Sequence, residues 1–173
     1  MNKKIVVVGT SGSGKSTLAR VLSIKFNIPH IEMDHLYWGE NWSINANFRE
    51  LLEQQLQIPG WIVCGNYSKV KDLTWRHATI IIWLDYPFYL VFWRALKRSV
   101  MRIYTGEKIC GGNRETLKRF FSKNSILWWV IQTYHRRKSD YQSLMLQENK
   151  TLMIIRITSP KELDEKISII DDF

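Results

Sequence analysis

The sequence predicts an α/β fold in which helices cover both faces of a parallel sheet. Short apolar runs of strand length alternate with longer segments of helical spacing along the chain. The first run, Lys4 to Val8, is almost wholly β-branched, as expected of a strand that is buried on both sides. A glycine-rich loop then joins this run to a helical segment. Together these three observations indicate a parallel sheet with helical crossovers.

Helices and strands alternate through the first part of the chain. The first helix is predicted over Lys15 to Phe26, where apolar residues recur every three or four positions. A second strand is predicted over His30 to Asp34. The next helix covers Asn47 to Gln57 and stops before Pro59-Gly60, and a third strand covers Trp61 to Cys64.

The second half of the chain continues this alternation. A fourth strand is predicted over Thr79 to Leu84, and Pro87 opens a long helix because proline suits a first helical turn. A glycine-bearing break lies between Tyr104 and Asn113, and further helix follows in two pieces up to about Glu148. The last strand covers Leu152 to Ile157, and Pro160 starts a final helix. Because no repeat or low-complexity linker interrupts the pattern, residues 1–173 are expected to form one domain.

Composition limits the class of protein and of partner. Hydrophobic residues make up 45% of the 173 positions and charged residues 24%, as in globular proteins. A net charge of +9 suits a nucleotide, a nucleic acid or an acidic membrane surface, and does not choose among them. The two cysteines form no zinc motif, and no apolar run has the length of a signal peptide or a membrane span. We therefore expect a cytoplasmic protein that is not embedded in a membrane, with no expectation about its oligomeric state.

One loop carries a specific chemical signal. Gly9 to Ser16 fits GxxxxGK[ST] at every fixed position, between a hydrophobic strand and a helix. Glycines let main-chain N–H groups turn inward around phosphates, and the start of the helix adds unpaired donors. Lys15 is expected to reach the β- and γ-phosphates of ATP and Ser16 to bind Mg²⁺, whereas the alternative is a turn that binds nothing. The predicted nucleotide contacts come from Gly9, Ser11, Gly12, Ser13, Gly14, Lys15, Ser16 and Thr17.

Three acidic residues stand at predicted strand ends, where open parallel sheets bind their ligands. Glu32 and Asp34 alternate on the second strand, so both side chains are expected on one face. Asp34 is predicted to orient an acceptor or to take its proton, and Glu32 to support Mg²⁺ through water. The alternative for both is a pair of solvated charges. Asp85 is interpreted as the N-cap of the helix that follows.

Basic residues form a stripe at helical spacing after the fourth strand: Arg94, Lys97, Arg98 and Arg102. Such a stripe is usually a solvated face, but stacked guanidinium groups also suit bidentate contacts to phosphate. We therefore predict phosphate contacts from Arg94 and Arg98. A second cluster covers Arg136 to Lys138, and two isolated arginines are further candidates for acceptor binding: Arg49 and Arg76.

Aromatic residues follow Asp34 closely. Trp38 and Trp42 are predicted to line an acceptor pocket, with Tyr37 beside them and with Gly65 and Asn66 contributed from the end of the third strand. His35 is either a polar pocket residue or a structural one. Trp128 and Trp129 are expected in the core.

The order of these motifs resembles nucleoside monophosphate kinases and shikimate-type small kinases. The runs IEMDHLYWGENW, GWIVCGNYSKV and TIIIWLDYP are more closely similar to the adenylate-kinase-related P-loop proteins often labelled DNA topology modulation proteins. The resemblance covers Lys3 to about Arg102 and returns at Ile155 to Pro160. It implies a three-layer α/β/α P-loop NTPase fold with a five-stranded parallel sheet. It also implies a helical acceptor-binding segment at about 36–57 and a helical lid insertion within 98–124.

The resemblance also assigns roles to residues. Arg94 and Arg98 match the spacing of the lid-base arginines of adenylate kinases, and Ser159-Pro160 match the loop that packs on adenine. Glu32-Met33-Asp34 is similar to the DxD of shikimate-type kinases. Where adenylate kinases end strand three with Asp-Gly, this chain has Cys64-Gly65. Because a thiol is a poor partner for a hard cation, either Glu32 or Asp34 supports the metal or turnover is weak.

Three functions fit these patterns. The first is a kinase that transfers the γ-phosphoryl group of MgATP to an unidentified small-molecule or nucleotide acceptor. The second is a nucleotide-dependent regulator that binds DNA or RNA. The net charge and the cluster at Arg136 to Lys138 motivate it, although no helix-turn-helix or zinc finger is present. The third is a nucleotide-binding switch with slow ATP hydrolysis, which Cys64 motivates.

Overall fold

The computed structural model describes residues 3–145 and 152–171. Five strands form one sheet in the order β2-β3-β1-β4-β5, and every neighbouring pair is parallel. The fold class predicted from the sequence is therefore confirmed. The strands are β1 (Lys4–Gly9), β2 (His30–Glu32), β3 (Trp61–Cys64), β4 (Ile80–Leu84) and β5 (Met153–Ile157).

Helices join the strands and cover the sheet. Asn27, with a left-handed φ of 52°, ends the first helix, and Gly106, with φ of 64°, ends the long helix after β4. The helices are α1 (Lys15–Phe26), α2 (Met33–Tyr37), α3 (Phe48–Gln55), α4 (Lys71–Thr74), α5 (Phe88–Thr105), α6 (Leu117–Phe120), α7 (Ile126–Met145) and α8 (Leu163–Ser168). The predicted end of the helical region at about Glu148 lies outside the described residues.

The core has two layers, because successive residues of a strand face opposite sides of the sheet. Ile5 and Val7 of β1 face a cluster that includes residues of α1, α5 and α8, while Val6 and Val8 face a cluster built on α3. α7 contributes Tyr134 to the first cluster and Tyr141 to the second. No helix in the described ranges is both long and apolar enough to cross a bilayer.

The second strand is shorter than predicted. β2 ends at Glu32, and α2 begins at the buried Met33, so Asp34 stands on a helix. The expectation that Glu32 and Asp34 share one face of a strand was therefore wrong. Glu32 is positioned by the end of a strand, and Asp34 is positioned by the first turn of a helix.

Two further expectations were also wrong. Asp85 does not cap α5, whose N-cap position is Pro87. Its buried carboxylate instead accepts a hydrogen bond from Arg156 Nε at 2.9 Å and lies 3.5 Å from Lys138 Nζ, which ties β4 to β5 and α7. Trp128 and Trp129 are 41% and 45% exposed, so they do not belong to the core.

Candidate functional site

The phosphate loop is shaped by packing on one side and open on the other. A Cβ added to Gly9 would lie 2.7 Å from the carbonyl oxygen of Leu84 in β4, and one added to Gly12 would lie 2.2 Å from that of Val91 in α5. Gly14 has a φ of 95°, and an added Cβ there would have no atom within 4 Å. The sequence therefore needs glycine at these positions for two reasons: a positive φ at all three, and close backbone approach at Gly9 and Gly12.

Lys15 and Ser13 present polar groups that lack an anionic partner within the described chain. Lys15 Nζ donates to the Thr10 carbonyl oxygen at 3.1 Å. Burial, reinforced by Arg137 and Arg98, lowers the pKa of Lys15 to about 8, although Asp34 opposes that shift. The buried Ser13 hydroxyl has no hydrogen-bond partner among the residues described. A bound polyphosphate would provide acceptors for both groups, so the loop fits the nucleotide that its motif predicts.

A serine–carboxylate pair lies where the first turn of α1 meets the end of β2. Ser16 Oγ donates to Glu32 Oε1 at 2.5 Å. Cys64 Sγ is 3.7 Å from Ser16 Oγ, and burial raises the pKa of this thiol to about 12, so it stays protonated. In residues 3–145 and 152–171, no three His, Cys, Asp or Glu side chains gather as metal ligands. Ser16 and Glu32 fit Mg²⁺, which protein sites bind with few side chains and several waters.

Asp34 lies on the exposed surface of α2, within electrostatic reach of the phosphate loop. Its Oδ1 accepts a hydrogen bond from Tyr67 Oη at 2.5 Å. Burial and the neighbouring Asp34 carboxylate raise the pKa of Tyr67, so the phenol remains a donor. The charge of Asp34 acts on Lys15, Arg98 and Arg137. Tyr67 was not identified from the sequence, because only the path of the loop after β3 brings it to Asp34.

Two arginines from different helices interact electrostatically with the Asp34 carboxylate. Burial lowers the pKa of Arg98, on α5, and of Arg137, on α7, and Asp34 acts on both in the opposite direction. Arg94 lies elsewhere, with its guanidinium 5.5 Å from the centre of the Tyr86 ring. Arg137 was recognised in the sequence only as part of a basic cluster, and that cluster was the available signal.

Asn66 connects three elements beside the phosphate loop. Its Nδ2 donates to the carbonyl oxygen of Gly9, and its Oδ1 accepts from Tyr141 Oη at 2.8 Å. Gly65 is equally confined, because a Cβ there would lie 2.8 Å from Met33 Cε. The geometry thus gives Gly65 and Asn66 a clear structural role next to the predicted acceptor side.

The remaining predicted residues are dispersed. Arg49 forms an exposed ion pair with Asp72, and Arg76 is exposed. Ser159 Oγ donates to Glu162 Oε1 at 3.0 Å, and Pro160 begins a short 3-10 turn. Ser11 is half-buried in the phosphate loop, and Thr17 is exposed on α1.

Two hairpin loops of matching backbone geometry are in contact with each other, one after α2 and one after α5. We call residues 37–44 the acceptor loop and residues 107–114 the lid loop. Gly39 N donates to Ser43 O at 2.9 Å in the first, and Ile109 N donates to Asn113 O at 2.8 Å in the second. Left-handed pairs occupy equivalent positions, Asn41-Trp42 and Gly111-Gly112.

Asn113 holds the two loops together. Its buried side chain donates from Nδ2 to Gly39 O at 2.8 Å and accepts from Trp42 N at 2.8 Å. A Cβ on Gly111 would lie 2.5 Å from Gly39 O, so the backbones are in direct contact. The Arg119 guanidinium lies 3.9 Å from the centre of the Trp42 ring, and Trp38 meets Trp42 edge-on. The predicted lid and the predicted acceptor segment are therefore docked.

Comparison by sequence does not assign the chain to a family, because no protein-family model matches it. A protein of Bacillus subtilis (strain 168), described as uncharacterized protein YqaC, is 25% identical over 181 residues that cover 100% of this chain and 98% of that protein.

Three solved structures are similar along nearly the whole chain. A shikimate kinase from Bacteroides thetaiotaomicron has a TM-score of 0.52 at 17% identity, covering 98% of this chain and 96% of that one. A sugar kinase from Janibacter sp. HTCC2649 has 0.53 at 15%, covering 99% and 95%. A gluconokinase from Sinorhizobium meliloti 1021 has 0.51 at 17%, covering 96% and 87%. The chain thus has the fold of these P-loop kinases, whereas the likeness to DNA topology modulation proteins finds no support.

Proposed function

We propose that this protein is a small P-loop kinase that transfers the γ-phosphoryl group of MgATP to the hydroxyl group of a small molecule. One observation carries the proposal. Asp34 acts electrostatically on Lys15, Arg98 and Arg137, yet in the described chain its carboxylate is bonded to the Tyr67 hydroxyl instead of to any of these cations. Its second oxygen is therefore available to accept a proton from an acceptor hydroxyl.

Positioning and charge stabilisation account for most of the catalysis in such a reaction. The main-chain N–H groups of residues 12–14 and the Lys15 ammonium hold the phosphates. Ser16 and Glu32 would hold Mg²⁺, which when bound offsets charge on the transferring phosphoryl group. Arg98 and Arg137 would donate hydrogen bonds to the oxygens of that phosphoryl group.

Other parts of the proposal concern the periphery of the site. Ser159 and Pro160 are proposed to border the adenine. Residues 36–57 form the acceptor side, with Trp38 and Trp42 on it, and residues 98–124 form the lid within a single domain. Contacts to the acceptor or its phosphate from Arg49, Arg76 and Arg94 belong to the same proposal, and would require these side chains to leave the positions described above.

The alternative of a nucleic-acid-binding regulator keeps the net charge of +9 as a motive but loses its second one, the basic cluster. The basic cluster at 136–138 is divided, because the charge of Arg137 acts on Lys15 whereas Lys138 pairs with Asp85 at 3.5 Å. No observation favours that function over phosphoryl transfer.

The test is ATP consumption in the presence of Mg²⁺ and a panel of sugars, polyols, hydroxy acids and nucleotides. An accepted substrate should accelerate ATP loss, and Asp34→Asn should reduce kcat by about 100-fold or more while the Kd for ATP stays within about two-fold. Asp164→Asn, at an exposed acid on α8, is the matched control and should retain activity. Failure of every acceptor would favour the switch with slow hydrolysis, and an unchanged kcat in Asp34→Asn would remove Asp34 from the mechanism.

A further inference from the structure

A groove of about 680 Å³ lies where the acceptor loop meets the lid, and none of its walls comes from the phosphate loop. Glu40 and Trp42 line it from the acceptor loop, and the lid loop and α6 complete it. Its charge is strongly one-sided, with four cations against the single carboxylate of Glu40. The cations are Lys108, Arg114, Lys118 and Arg119.

Arg119 is held in a geometry that suits an anion. Its guanidinium is 3.9 Å from the centre of the Trp42 ring, and within the described ranges no carboxylate lies within 4 Å of it. Stacking uses the face of a guanidinium and leaves the N–H groups at its edge free to make paired hydrogen bonds. The Thr116 hydroxyl, which accepts from Arg119 N at 3.3 Å, helps to fix the backbone beneath it.

We propose that this groove binds a compact ligand that bears phosphate, at a site separate from the phosphate loop. A groove of about 680 Å³ is within the size of small-molecule sites, which run from about 300 to 1,000 Å³. Four cations facing one carboxylate favour a ligand with two or more negative charges, and the exposed edge of Arg119 matches the oxygens of a phosphate.

The ligand would also act on the arrangement of the loops. Because the groove has walls from both the acceptor loop and the lid, it exists only while Asn113 holds them together. Whatever binds only the docked arrangement must stabilise it, by linkage. Occupation of the groove should therefore lower the population of molecules in which the two loops are separated.

Inorganic pyrophosphate is a suitable probe, titrated by calorimetry into a Lys15→Ala variant that lacks the main cation of the phosphate loop. We expect binding to survive this change, and to weaken about ten-fold or more when Arg119→Gln is added. Arg119→Lys, which keeps the charge and loses the planar fork, should fall between. Arg20→Gln, at an exposed cation on α1, is the matched control and should change the Kd by less than about two-fold.

Lys118 provides a second variant that does not endanger folding, because its side chain is exposed. Lys118→Gln should weaken pyrophosphate binding about three-fold or more. Complete loss of binding in Lys15→Ala, or the same Kd with and without Arg119, would overturn the proposal.

Titration with a single-stranded 12-nucleotide DNA tests whether the groove binds nucleic acid instead. If the DNA alone binds, with steep salt dependence, the groove is a nucleic-acid surface and the proposal is wrong.

Discussion

Lys15 determines the electrostatic state of the phosphate loop. Burial lowers its pKa from 10.5 to about 8, so the folded protein disfavours the charged ammonium. Between pH 8 and 10.5 the unfolded chain binds more protons at this position than the folded one. Stability should therefore rise with pH across that window, and the cost of burying the charge is fully present below it.

Lys15→Met removes this buried charge while it keeps most of the side-chain volume. We expect the free energy of unfolding at pH 7 to rise by about 1–3 kcal/mol, and its increase between pH 8 and 10.5 to flatten. Urea denaturation at pH 7 and pH 10 measures both effects. A variant that is less stable than the parent at pH 7 would contradict the assignment of an uncompensated ammonium. ATP binding should be lost in the same variant, since the main cation of the loop is gone.

Cys64 lies 3.7 Å from the Ser16 hydroxyl and beside Glu32. Cys64→Asp would place a second carboxylate in this buried corner. Without metal we expect a loss of about 3 kcal/mol in stability, because two carboxylates would repel each other in a corner where burial already disfavours charge. Excess Mg²⁺ should restore much of it, as measured by thermal unfolding with Mg²⁺ and with EDTA.

Cys64→Ser is the neutral control for that experiment. It should show no greater response to Mg²⁺ than the parent. Equal responses in the aspartate and serine variants would show that the end of β3 does not approach the metal.

At the scale of single residues, the sequence was informative where function follows from a local motif. The glycines, Lys15 and Ser16 of the phosphate loop stand in a fixed order along the chain. Tyr67 and Arg137 could not be placed in the same way. Their contribution depends on where a loop and a distant helix return to the sheet, and no local spacing records that path.

Among the elements, the boundary between β2 and α2 shows why an alternating pattern can mislead. The run from His30 to Asp34 alternates in a way that suits a strand, but the chain turns into a helix at Met33, whose side chain is buried. A run this short does not distinguish the residue period of a strand from that of a helix. Asp34 was singled out in the sequence, but the helix that carries it was not predicted.

The joint between the acceptor loop and the lid loop depends on one side chain. Asn113→Ala removes its hydrogen bonds to Gly39 O, Cys110 O and Trp42 N. We expect a loss of about 1–3 kcal/mol in stability. Amide hydrogen exchange should accelerate in both loops, because each is protected by the other.

Ser43→Ala is the matched control for this joint. Ser43 Oγ donates to Glu40 O inside the acceptor loop, at the position equivalent to the Asn113 bond inside the lid loop. Its loss should affect residues 37–44 and leave residues 107–114 protected. Faster exchange confined to 107–114 in Asn113→Ala would show that the loops are not coupled.

For the molecule as a whole, the strand order and layers followed from the alternation of apolar runs, and the wrong core assignments came from the same reasoning. Trp128 and Trp129 stand in an apolar run of α7, yet the side of that helix that packs into the core carries Val130, Tyr134 and Tyr141. Both indoles remain more than two-fifths exposed. Composition shows how much apolar surface a helix carries, but not which side of it is covered.

The phosphate loop is also part of the packing of the whole domain. Gly12→Ala would force a Cβ to within 2.2 Å of the Val91 carbonyl oxygen, and α5 would have to move away from β1. We expect a loss of about 3 kcal/mol or more, measured by chemical denaturation. Gly14→Ala, strained by its φ of 95° but free of contacts, should lose about 1–2 kcal/mol. Equal losses would show that the contact with α5 is not essential.

The bonds of Asn113 span 74 positions of chain between the lid loop and Gly39. Segments fastened in this manner cannot swing independently of one another. Whatever opens the cleft should therefore carry both as a single rigid flap, and a fluorophore on either loop should relax with one shared time constant.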